Sequence, residues 1–166
     1  MTLGLSLYAF TMLHVAISLI AIASGFVVAS QLIGGRKSEP WTALFLAATI
    51  LTSVTGFMFP VTVFTPALAF GVVSMIVLAL AVFAWYQRRL AGSWRWIYVV
   101  TAIFALYLNV FVLVVQAFQK VPPLNALAPT GSEAPFLIAQ LAVLAAFIWI
   151  GIRATRRFRP NGLMPA

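Results

Sequence analysis

The sequence predicts an all-α, polytopic integral membrane protein: a bundle of five transmembrane helices with its N-terminus outside and its C-terminus inside. Three observations carry that prediction. Only 7% of the 166 residues are charged and 64% are hydrophobic, where a soluble domain has about a quarter of its residues charged. The mean hydropathy is +1.11. The few cations fall in short clusters, Arg36/Lys37, Arg88/Arg89/Arg95 and Arg153/Arg156/Arg157/Arg159, with Lys120 alone. Charge is costly in hydrocarbon, so such clusters mark where a chain leaves a bilayer.

Five uncharged runs approach or exceed the ~20 residues that cross a hydrocarbon core of ~30 Å. The first, approximately 5–33, ends at Gly34-Gly35 and is long enough to tilt. It lacks the cationic start of a signal peptide and outruns an apolar segment of ~7–15 residues, so it reads as a retained span. The second covers 41–63, with Pro60 ending it or sitting in its last turn. A proline-bounded hairpin from Phe59 to Pro66 leads into the third, 66–87. The fourth covers 96–119. A long connection with Pro122, Pro123, Pro129 and Pro135 follows, in which Thr130-Gly131-Ser132-Glu133 fits a capping box for the fifth span, 135–151. Lys120 and Glu133 stand at the two feet of that connection and are placed to pair. The rest, 152–166, reads as a tail, disordered from Asn161 onward, and the whole of 1–166 as a single membrane domain.

Orientation follows from the cations. The three clusters all fall on one side, and Lys120 alone falls on the other. The basic side is the cytoplasmic side by the positive-inside rule. Trp41, Trp85, Trp94, Trp96 and Trp149 lie at the same ends of their spans, joined by Tyr86 and Tyr98, as a headgroup-level belt. At the opposite boundary stand Tyr8, Phe10, Phe57, Phe59, Phe64, Phe118 and Phe136. The net charge of +8 is thereby spent on topology, and no nucleic-acid partner is expected.

Composition also limits the chemistry. With no cysteine, the chain has no disulfide, thiolate or cysteine-held iron–sulfur cluster. It has no Asp, and both Glu residues fall outside the apolar runs, so paired-carboxylate catalysis and carboxylate proton relays lack parts. Thr42-Ala43-Leu44-Phe45 and Thr101-Ala102-Ile103-Phe104 each follow a Trp, as a duplicated hairpin would.

The candidate site centres on His14, the single histidine. It lies about 13 Å past Leu5 at ~1.5 Å per residue. His14, Ser18, Ala21, Gly25 and Ala29 share one helix face. Small residues mark helix contacts in membranes, so His14 faces the bundle. Asn109 sits at a similar depth in span four, with Gln116 two turns farther out. Gln140 in span five and Thr52, Ser53 and Thr55 in span two lie in the same outer half. Two readings stand side by side. Each side chain hydrogen-bonds across helices, or the group lines an outward cavity for a lipophilic ligand. In the second reading His14 serves as a haem or metal ligand, or as a quinone partner. One histidine per chain excludes bis-histidine haem within one copy, and leaves Met12, Met58 or Met75, with Met58 foremost, or a second copy's histidine to complete the ligation.

The stretches Trp41-Thr42-Ala43-Leu44-Phe45-Leu46, Leu51-Thr52-Ser53-Val54-Thr55-Gly56-Phe57, Trp94-Arg95-Trp96-Ile97-Tyr98 and Tyr107-Leu108-Asn109-Val110-Phe111 carry a resemblance to small uncharacterised bacterial inner-membrane proteins. The resemblance implies a bacterial inner membrane and brings no activity, cofactor or site residue. The expected function is therefore a non-enzymatic inner-membrane protein, an accessory or interaction subunit working with a membrane-protein partner or as a homo-oligomer. The alternative is a haem- or quinone-binding redox protein using His14. A small channel or carrier stands third, because the spans contain no carboxylate and no clear inverted repeat.

Overall fold

In the structure, a computed structural model describing residues 4–60 and 66–159, six α-helices follow one another: α1 (Leu7–Ile33), α2 (Glu39–Phe57), α3 (Pro66–Val82), α4 (Trp94–Lys120), α5 (Pro122–Leu127) and α6 (Ala134–Arg157). A π turn, Phe83–Gln87, extends α3. With that extension counted, α1–α4 and α6 give five helices long and apolar enough to cross a membrane.

Local chemistry sets the ends. The Ser6 hydroxyl accepts from the Ala9 N–H at 3.2 Å and caps α1. At its far end Gly35 turns left-handed, φ 70. Its N–H donates to the Leu32 carbonyl at 3.1 Å, and the Arg36 N–H donates to the Gln31 carbonyl at 2.8 Å. This is the Schellman arrangement, which satisfies carbonyls the helix leaves open. Pro40 lies in the first turn of α2, where a missing N–H costs nothing. That helix ends at Phe57, earlier than the hydropathy pattern predicts, because Pro60 disfavours helical backbone just before it. The expected end at Val63, Phe64 and most of the hairpin lie outside the described residues, as does the tail from Asn161.

Two stretches depart from expectation. The connection after α4 is not plain loop: Pro122 and Pro123 open the short helix α5. The last helix also continues past Gly151 to Arg157, since arginines in a final turn complement the helix dipole. At its start, Glu133 is the N-cap residue, so Thr130 does not cap the first turn. Instead the Glu133 carboxylate accepts from the Thr130 N–H and hydroxyl at 3.0 and 2.9 Å and from the Ser132 N–H at 3.0 Å. Glu133 is thus engaged by its own loop rather than by Lys120. Desolvation opposes its charge, but these hydrogen bonds outweigh it and hold the carboxyl below its ordinary value.

Helix α4 is central, packing against α1, α3 and α6. The buried apolar cluster draws on Val28, Ala29 and Leu32 of α1, Phe45 and Leu46 of α2, Leu78, Ala81 and Trp85 around the π turn, and Tyr98, Ala102 and Leu106 of α4. All lie in the half of the bundle nearest the basic clusters. Helix α6 is peripheral. Its buried residues, Gln140, Phe147 and Ala154, recur every seven positions as a single narrow seam.

The three basic clusters meet at one end. The Lys37 ammonium lies 4.8 Å from the Trp85 ring centre. Arg95 donates to the Phe158 carbonyl, and Arg88 and Arg153 rest over Trp94 and Trp149. The aromatic belt is therefore split. Trp41, Trp96 and Trp149 are exposed, whereas Trp85 and Tyr98 turn inward and pack at 4.7 Å between centroids. Phe10 and Phe118 likewise turn inward at the opposite end. The two hairpins are not equivalent either. Thr42 bonds Tyr98 across helices and Phe45 is buried. Thr101 bonds back to Ile97 in its own helix, and Phe104 is exposed.

Candidate functional site: paired polar side chains between the helices

His14 reaches from α1 to α2, where its Nδ1 lies 2.7 Å from the Thr55 hydroxyl oxygen. The Thr55 hydroxyl has one hydrogen, and it points to the Leu51 carbonyl at 2.7 Å, the usual back-bond of a helical threonine. Its oxygen is then the acceptor, so His14 carries its proton on Nδ1. The lone pair is left on Nε2, which has no hydrogen-bond partner among the described residues. The ring is held edge-on by Phe59 at 5.2 Å, and Phe59 in turn packs against Phe10 at 5.0 Å. Gly56 leaves room beside the ring: a Cβ there would stand 3.7 Å from His14 Cε1. Along the same face Ser18 bonds back to the His14 carbonyl.

The other predicted site residues do not join His14 in one cluster. Asn109 donates from α4 to the Thr49 hydroxyl of α2 at 3.3 Å. Thr49 is six residues, about 9 Å, deeper than Thr55. Gln140 donates from α6 to the Phe111 carbonyl of α4 at 3.2 Å, while its own amide oxygen is buried without a partner among the described residues. Thr52 offers its carbonyl to Thr55, and its hydroxyl is buried and unpartnered. Gln116 is exposed and takes no part in these pairs. Met58 is the C-cap of α2, its N–H donating to the Thr55 carbonyl. A further bond, Ser53 to Ser74 at 3.2 Å, ties α2 to α3.

Polar groups in the apolar spans therefore meet pairwise across successive helix boundaries, α1–α2, α2–α3, α2–α4 and α4–α6. Among the described residues, only His14 combines a hydrogen-bonded imidazole ring with an unused nitrogen lone pair. Among the described residues no three His, Cys, Asp or Glu side chains gather as a metal site would require. A cavity of about 290 Å³ opens elsewhere, at the basic end, lined by Lys37, Glu39, Trp85, Tyr86 and Arg89. Sequence patterning assigns those cations to topology and Trp85 to the belt. The signal that would have revealed the cavity is a backbone bend, which no residue spacing encodes. In comparisons with known proteins, the chain matches no protein-family profile, no curated protein and no solved structure.

Proposed function

We propose that this protein is a non-enzymatic integral protein of the bacterial inner membrane, an accessory or interaction subunit working with a membrane-protein partner or as a homo-oligomer. Five spanning helices satisfy their backbone polar groups internally, as lipid demands. The N-terminus lies outside and the C-terminus in the cytoplasm; the gathering of the basic clusters at one end supports that orientation. The observation that carries the non-enzymatic reading is the pairwise use of the intramembrane polar groups. Asn109, Gln140, Ser53 and Thr55 are all engaged between helices, the arrangement expected of interhelical glue.

One observation favours a second reading. The bare Nε2 of His14, on a ring fixed by Thr55 and Phe59, offers the lone pair that a haem iron takes as a ligand or a quinol hydroxyl takes as its hydrogen-bond acceptor. Purification in mild detergent separates the two. A stoichiometric protein partner or a stable homo-oligomer is expected under the first reading. A Soret band or extractable quinone that disappears in His14→Ala overturns it in favour of the second.

A further inference from the structure

The cavity at the basic end is built by three separate devices. The Schellman turn at Gly34-Gly35 releases Lys37, whose ammonium comes to rest against the Trp85 ring. Glu39 opens α2 beside it. On the facing wall the π turn presents Trp85 and Tyr86, and Arg89 follows in the left-handed region with φ 47. Left-handed backbone is unfavourable for a non-glycine residue, whose Cβ crowds the following carbonyl oxygen. Leu90, also left-handed at φ 62, holds the bend in place: its side chain is in the core and its N–H donates to the Ala84 carbonyl at 3.0 Å. π turns and strained non-glycine residues concentrate at functional segments. Among the described residues, neither Lys37 nor Arg89 forms an ion pair with Glu39. This half-open cleft thus keeps two exposed cations and one exposed carboxylate around a volume of about 290 Å³, just below the usual range of ligand sites.

We propose that this cavity binds a phosphodiester bearing a primary amine, the phosphoethanolamine headgroup of a membrane lipid. Arg89 and Lys37 take the phosphate oxygens, which accept charge-assisted hydrogen bonds from guanidinium and ammonium donors. Glu39 accepts from the ligand's ammonium. Trp85 and Tyr86 supply the wall at the level where indole and phenol rings meet headgroups. A headgroup with phosphate alone satisfies the cations but sets its charge against Glu39. A choline headgroup has no N–H to offer that carboxylate. The proposal rests on the membrane reading above and is independent of which side faces the cytoplasm.

The test loads the purified full chain, in detergent, with equal amounts of phosphatidylethanolamine, phosphatidylcholine and phosphatidylglycerol of identical acyl chains. Bound lipid is counted by native mass spectrometry. Phosphatidylethanolamine should be retained about tenfold over the others, the value of one charge-assisted hydrogen bond. Glu39→Gln, at an exposed position, should erase that preference and still retain lipid. Lys37→Ala with Arg89→Ala should lose retention of all three. If the double variant fails to fold, the selectivity of Glu39→Gln decides. Equal retention of the three headgroups, or a preference that survives Glu39→Gln, overturns the proposal. In a competition arm, glycerophosphoethanolamine or inorganic phosphate at equal concentration should not displace the lipid. Displacement overturns the lipid source and assigns the cavity to a soluble phosphate. A missing headgroup preference leaves the accessory reading standing, whereas a failed reporter map (below) strikes the orientation alone.

Discussion

Gly25 shows how one atom sets a helix distance. A Cβ at this position would lie 2.5 Å from Leu106 Cδ1 and 2.9 Å from Phe45 Cε2. Both neighbours are about 1% exposed and have nowhere to move. Gly25→Ala should therefore cost about 1–3 kcal/mol through overpacking, read as an earlier midpoint when helicity is titrated with denaturing detergent. Gly71 provides the control. Its Cβ would stand 2.8 Å from the Phe57 ring tip, but Phe57 is 39% exposed and can swing outward. Gly71→Ala should stay within about 0.5 kcal/mol of the parent. Equal stabilities would refute the close approach of α1 to α2 and α4. At the candidate site, Thr55→Val removes the acceptor of His14. It should cost about 0.6 kcal/mol, the average for such bonds in membranes. Nitrogen-15 NMR should find the parent His14 protonated at Nδ1, and that tautomer should lose its dominance in the variant.

At the scale of elements, the turn between α3 and α4 trades stability for shape. Arg89→Gly removes a left-handed penalty and should stabilise the protein by about 1 kcal/mol, while weakening lipid retention in the mass-spectrometric assay. Leu90→Gly removes a buried side chain and should destabilise by about 2–4 kcal/mol. Opposite signs at neighbouring residues are the signature of a bend imposed by packing. The loop before α6 has a pH signature as well. Glu133 is lowered from its ordinary value of 4.5. A depressed carboxylate favours the folded loop above its unfolded value, and that contribution is lost as pH falls through the folded one. Thr130→Val deletes one donor and should raise the Glu133 titration midpoint, observed by carbon-13 NMR.

For the whole molecule, the halves of the bundle cohere differently. Near the basic end, aromatic and aliphatic side chains interlock, and Lys37, Trp85, Tyr98, Phe158 and Arg95 link the α1–α2 turn, the π turn, α4 and the end of α6. Toward the opposite end, single hydrogen bonds such as His14 to Thr55 and Gln140 to Phe111 span the gaps. The proposed orientation has a direct check. A reporter active only in the cytosol, fused after Arg159, should be active, and a periplasm-only reporter at the same point silent. The reverse result would invert the topology and move the His14 site to the cytoplasmic half.

The number of long apolar helices was legible in the sequence, because Lys and Arg mark the ends of apolar runs whatever the helices touch. The stripe from His14 to Ala29 was legible for the same kind of reason, since helical spacing puts small residues on one face. Which polar groups would meet was not. Asn109 and His14 share a depth by counting, but their partners, Thr49 and Thr55, lie about two turns apart on α2. Azimuth and helix order, which only packing fixes, decided that they bond separately. The inward turn of Trp85 and the left-handed Arg89 belong to the same class. Hydropathy is a property of each residue and can be read along the chain; convergence depends on the relative rotation of helices distant in sequence, and the tertiary structure alone supplied it.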